Sequence, residues 1–183
     1  MQFAMVDGAI EPGCRPGDST AFADALNALY GVSYTLKFAF KKRAADPVDY
    51  PVMALEALWW IEDGVFDLAR ADNWLWTAMI MQPDVVTPDD FADAVAQARK
   101  KKGDLPGLAR IRLATFREGL CVQMMHLGPY ATEPATKEKM DAFALAQGYA
   151  MTGKHHEIYL GDPRAAAPEK LRTVLRQPVA RIP

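Results

Sequence analysis

Polar and apolar positions alternate with a period of two over residues 155–160, which puts His155, Glu157 and Tyr159 on one side of an extended chain and His156, Ile158 and Leu160 on the other. The run is short, rich in aromatic and β-branched residues and stopped by Gly161-Asp162-Pro163, so the pattern predicts a strand. One of its faces reads as core. The other carries a carboxylate between an imidazole and a phenol and is the candidate site, the alternative being a half-solvated strand whose polar face meets water.

The remaining pattern places elements around that strand. Residues 1–8 alternate adequately for a strand and 11–18 form a loop. Phe22, Leu26, Leu29 and Tyr30 recur at helical spacing behind a cap at Asp18, Ser19 or Thr20, predicting one long helix through Gly31 to about Arg43. Residues 52–62 and 74–82 read as paired strands of a hairpin. Thr87-Pro88-Asp89-Asp90 starts a helix, with a capping threonine, a proline and first-turn acids, and the basic run 99–102 with Gly103 ends it. Residues 109–116 and 120–127 are predicted as a hairpin turning at Arg117-Glu118-Gly119. A helix runs from Thr132 to Ala146 and stops at Gly148; a helical turn over 168–172 and a strand over 173–180 close the chain.

Element order repeats. Met5-Val6-Asp7-Gly8 precedes a loop and helix as Met125-His126-Leu127-Gly128 does, residues 52–60 correspond to 154–160, and 74–82 to 173–180. The expectation is an α+β fold of duplicated strand-helix-strand-strand lobes about a pseudo-twofold axis, with helices on one face and a concave antiparallel sheet forming a ligand cleft. The lobes are expected at about 1–82 and 109–183, joined by a helix over about 87–103.

Composition narrows the function. At 183 residues, 50% hydrophobic and 24% charged, the chain can bury one sizeable core, and no apolar run approaches the roughly 20 residues of a membrane span. A net charge of -2 gives no electrostatic case for nucleic acid or an anionic membrane. With no signal peptide, the cytoplasm is the expected compartment. Cys14 and Cys121 lack metal-ligand spacing and are expected reduced, and His155 and His156, adjacent on a strand, face opposite sides, so no metal and no cofactor are expected.

Several stretches together resemble a known family: Leu58-Trp59-Trp60; Trp74-Leu75-Trp76-Thr77 with Gln82-Pro83-Asp84; residues 119–130 ending Gly128-Pro129-Tyr130; and His155-His156-Glu157-Ile158-Tyr159 with Leu175-Arg176-Gln177-Pro178-Val179. The resemblance is to the stand-alone GyrI-like proteins, relatives of the gyrase inhibitory protein and of effector-binding domains in multidrug-responsive transcription regulators, and it covers nearly the whole chain. It implies an aromatic cleft with a glutamate at its floor, matched by Glu157, and a tyrosine after the Gly-Pro turn, matched by Tyr130. It further implies that some members hydrolyse cyclopropanoid DNA-alkylating compounds. The chain opens at the first strand of that fold and has no length to spare for a regulator's DNA-binding segment, so no direct nucleic-acid contact is expected.

Glu157 and Tyr130 are therefore the expected catalytic pair, as general base on water and as donor to an oxygen gaining charge. Trp59, Trp60, Trp76, His126, His155 and Tyr159 are the expected ligand contacts, although alternation allows at most one of Trp59 and Trp60 to line the cleft. Core packing is the competing reading for each tryptophan, and a packed or hydrogen-bonded histidine for His126. Three functions stay open on the sequence: hydrolysis of a cyclopropanoid electrophile, binding of a flat aromatic molecule without turnover, and a protein partner held on the outer surface.

Overall fold

The computed structural model describes every residue except Val65 and 69–72. Strand β1 (Gln2–Ala9) sends Ala4 and Val6 to one face and Phe3 and Met5 to the other. Helix α1 (Thr20–Lys41) follows, its first turn closed by Ser19, whose hydroxyl accepts from the Phe22 amide, and by the Glu11 carboxylate, which accepts from Thr20 and the Ala21 amide. Phe22, Ala25, Leu29, Val32, Leu36 and Phe40 are the buried stripe that docks α1 on the Ala4 face of the sheet. Gly31 does not stop the helix, because packing of this stripe on both sides of it outweighs the roughly 1 kcal/mol that a mid-helix glycine costs.

Strands β2 (Leu55–Trp60) and β3 (Leu75–Gln82) form the expected antiparallel pair. Helix α2 (Pro88–Lys102) begins with a reciprocal cap between Thr87 and Asp90 and ends at Gly103, whose φ of 80° suits a residue without a side chain. A short helix α3 (Pro106–Arg110) leads into β4 (Arg112–Thr115); β5 (Cys121–Leu127), α4 (Glu133–Ala146), β6 (Tyr149–Met151), β7 (His155–Tyr159) and β8 (Arg172–Arg181) complete the chain.

The strands form one sheet in the order β4-β1-β3-β2-β7-β8-β5, every neighbouring pair antiparallel, with β6 added to the end of β8. The order β1-β3-β2 is mirrored by β5-β8-β7, and β2 meets β7 at the centre, Ala57 opposite Glu157. This is an α+β fold of duplicated strand-helix-strand-strand units. Helix α4 covers the second half on the same face as α1: Thr136 on α4 reaches His126, which pairs with Thr173, whose other neighbour Tyr159 lies opposite Leu55.

Residues 109–127 do not form the predicted hairpin. Arg110 ends α3, β4 pairs with β1 at one edge of the sheet, and β5 pairs with β8 at the opposite edge. The intervening segment crosses the face away from the helices. Phe116 packs edge-on against Phe3 and His156, and Glu118 receives both carboxylate hydrogen bonds from His156 Nδ1 at 3.0 Å. The local turn signal at Arg117-Glu118-Gly119 is real, Gly119 having a φ of 88°, but burying Phe116 decides what the turn connects.

Candidate functional site

Strand alternation puts His155, Glu157 and Tyr159 opposite Trp59, Ala57 and Leu55, all on the face that carries α1 and α4. That face, rather than the open side of the sheet, holds the candidate site. Glu157 is 5% exposed and stands where the two halves meet. The Tyr159 hydroxyl donates to Glu157 Oε2 at 2.7 Å, and the Trp59 indole N–H donates to the Tyr159 oxygen at 3.1 Å, so a relay of two donors orients the carboxylate. His155 Nε2 lies 3.3 Å from Glu157 Oε1 without completing a hydrogen bond, and its ring stacks on Phe66, centroids 5.7 Å apart.

Tyr130, 37% exposed, sits edge-on to Tyr159 with centroids 5.9 Å apart and is the most exposed of these residues. Burial pushes its phenol up to about 12, with the negative charges of Glu133, Glu157 and Asp162 adding to the effect. Tyr159 is pushed well above its ordinary value, by burial first and then by Glu157.

Glu133 belongs to this group as well. It opens α4, is 3% exposed, and its carboxyl is raised to about 9, by burial foremost and then by the charge of Glu157. Thr173 on β8 faces it and favours the ionised form slightly, but the Thr173 Oγ1 closes no hydrogen bond of ordinary geometry. Glu133 Oε1, Thr173 Oγ1 and both ring nitrogens of His155 are buried polar atoms left without a hydrogen-bond partner. Such a concentration around Glu157 is the mark of a place where a polar ligand or water completes the bonding.

The other predicted contacts are placed differently. Trp60 points to the opposite face, where the Lys154 ammonium lies 3.1 Å from its ring centroid. Trp76 is fully buried between Phe22 and β1, so close to Gly8 that a Cβ there would stand 2.2 Å from its ring. His126 is 3% exposed and ties the turn to the helix: Nδ1 lies 2.9 Å from Thr136 Oγ1, and Nε2 lies 3.2 Å from both the Pro129 carbonyl and Thr132 Oγ1. It thereby fixes where Tyr130 and Glu133 stand.

The side of the sheet away from the helices has chemistry of its own. His156, 1% exposed, donates to Glu118 from Nδ1 and to Glu56 from Nε2 at 2.9 Å, and Arg176 donates to Glu118 at 3.3 Å. Burial works against the charged imidazole, but the bonds to the two carboxylates outweigh it and raise His156. The same contact lowers Glu118 against the opposing effect of burial. Two shallow hollows lie elsewhere, one of about 390 Å³ between α1 and α2 and one of about 440 Å³ between α2 and β4, and neither is lined by a carboxylate.

The model of the GyrI-like small-molecule-binding domain matches residues 37–180. The chain belongs to the GyrI-like family. An uncharacterized conserved protein from Listeria innocua is 43% identical and superposes with a TM-score of 0.86 over 98% of this chain and 88% of its own. A hydrolase from the same organism is 41% identical, with a TM-score of 0.82 over 98% and 87%. The EcmrR C-terminal domain is 10% identical and shares the fold, with a TM-score of 0.60 over 99% and 92%. Comparison with curated proteins finds no match.

Within this GyrI-like chain, Glu133, Thr173 and the Glu56–His156–Glu118 group escape sequence reading. An acid in the first turn of a helix ordinarily serves the helix dipole in water. One signal for Glu133 was available: it follows Tyr130 by three residues, the spacing that brings side chains together on a helical turn. No described helix is long and apolar enough to cross a membrane, and no described group of three or more His, Cys, Asp or Glu side chains is placed to hold a metal.

Proposed function

We propose that this small-molecule-binding domain takes a flat aromatic molecule against Glu157 and hydrolyses it, the substrate being a strained cyclopropane conjugated to a carbonyl. The observation that carries the reading is the buried Glu157 carboxylate, fixed by the Tyr159 hydroxyl at 2.7 Å and surrounded by polar atoms without partners. A carboxylate so held takes a proton from water, and the water oxygen attacks the cyclopropane carbon. Opening the ring sends its electron pair to the conjugated carbonyl oxygen, which needs a donor; the Tyr130 hydroxyl is one at the mouth of the site. Trp59, Tyr159 and His155 supply aromatic surface for the flat body of the ligand. Hydrolase relatives at 40% and 41% identity support a hydrolytic reading over binding alone.

Binding without turnover is the second reading. It is favoured by the Tyr159 donor, which holds the Glu157 carboxylate in place as an anchor for a cationic ligand. The two separate on incubation with a cyclohexadienone-fused cyclopropane followed by mass spectrometry. Hydrolysis gives the ring-opened adduct of one water at a rate proportional to protein; unchanged compound that quenches tryptophan fluorescence stoichiometrically supports binding alone.

A further inference from the structure

Glu133 on α4 stands one turn beyond Tyr130, whose ring meets Tyr159 edge-on, and Tyr159 in turn bonds Glu157 on β7; both carboxyl groups are nearly fully buried, and Glu133 Oε1 has no partner there. The other titratable or polar groups around Glu133 are Tyr130 from the turn before α4, Tyr159 from β7 and Thr173 from β8; no described lysine or arginine compensates it. Two ionised carboxylates are mutually unfavourable in such a place, so the pair holds one proton between them. The hydrogen bonds decide where it sits. Glu157 accepts a hydrogen bond from Tyr159, whereas Glu133 Oε1 has no donor at all. The N-terminal end of α4 would by itself favour the anion at Glu133, but burial and Glu157 prevail, and the carboxyl is raised to about 9.

We propose that Glu133 is a neutral carboxylic acid that hands its proton to an acceptor oxygen of the ligand, working as the acid partner of Glu157. The assignment rests on the hydrolytic reading above and refines its substrate class: a flat, uncharged aromatic carrying a carbonyl oxygen that reaches Glu133. The step balances. Water oxygen bonds to the cyclopropane carbon as the carbon–carbon bond breaks, its electron pair reaches the carbonyl oxygen, and that oxygen takes the Glu133 proton while Glu157 takes one from the water. The product is the substrate plus one water, and transfer of one proton from Glu157 to Glu133 resets the pair. Tyr130, pushed up to about 12, is the weaker acid and serves to position the oxygen.

Infrared spectroscopy of the ligand-free protein tests the proton directly. The wild type should show the carbonyl stretch of a protonated carboxyl at neutral pH that titrates away around 9, and Glu133→Gln, which keeps the shape and an N–H donor, should lack it. Turnover in Glu133→Gln should fall about 10²- to 10⁴-fold with KM nearly unchanged, and Tyr130→Phe should lose less. A band absent from the wild type at neutral pH, or undiminished turnover in Glu133→Gln, overturns the assignment. Should the wild type hydrolyse nothing, the hydrolytic reading fails separately, and affinity decides for Glu133. Fluorenone should then bind about five- to tenfold tighter than fluorene in the wild type and lose that margin in Glu133→Ala; equal affinities in the wild type overturn the donor role.

Discussion

Ala57 and Glu157 stand directly opposite each other on β2 and β7, at the point where the two halves of the sheet meet. The Ala57 methyl is fully buried beside the carboxylate. Alanine fills only a small space there, and its neighbours on the same face of β2 are the larger Leu55 and Trp59.

Ala57→Val places two more carbons in that space. It should lower affinity for a flat aromatic ligand by at least about tenfold while costing about 1–3 kcal/mol of stability. Fluorescence titration and urea denaturation of the same sample read both; unchanged affinity at reduced stability would move the binding place away from Glu157.

Trp59 and Trp60 should part company on mutation. Trp59→Phe removes the indole donor to Tyr159 and leaves Glu157 less firmly oriented, so turnover or affinity should fall by about 0.5–1.5 kcal/mol. Trp60→Phe acts on the opposite face, under Lys154, and should leave both within experimental scatter. Steady-state kinetics on the two variants side by side give the comparison.

Stability should carry a pH signature from His156. Its folded value is raised, so its contribution is complete below the unfolded value of about 6.5 and is lost as pH climbs through the folded one. Glu118 is lowered, so its contribution is present above the unfolded value of about 4.3 and is lost as pH falls through the folded one. The pair therefore stabilises most between about pH 4.3 and 6.5. His156→Gln leaves Glu56 without its cation and Glu118 with Arg176 alone, and should cost about 3–5 kcal/mol in that window and less above it. Urea denaturation of both proteins from acid to mildly alkaline pH measures the difference, and a difference that grows above neutrality would contradict the assignment.

Much of the fold was legible in local pattern. The 155–159 alternation, the Thr87 cap and the apolar stripe through Gly31 each concern side chains within a turn or two of one another, where spacing alone fixes the face. The exclusive facing of Trp59 and Trp60 followed from the same rule. What remained hidden depends on partners far off in sequence. Glu118 and His156 are 38 residues apart, so nothing near Glu118 marks it as more than a turn acid, and the predicted hairpin yielded to burial of Phe116 across the sheet. The burial of Glu133 was hidden for a related reason: it is set by the docking of α4 on β5 and β8, which the helix's own sequence does not record.

Glu157→Gln is the most direct test of the account. Glutamine keeps the shape and accepts the Tyr159 hydroxyl through its amide oxygen, but it takes no proton from water. Turnover of a cyclohexadienone-fused cyclopropane, followed by mass spectrometry, should fall about 10²- to 10⁴-fold while fluorescence titration shows the uncharged compound still bound. Turnover equal to that of the wild type, with binding intact, would contradict Glu157 as the base at the centre of this site.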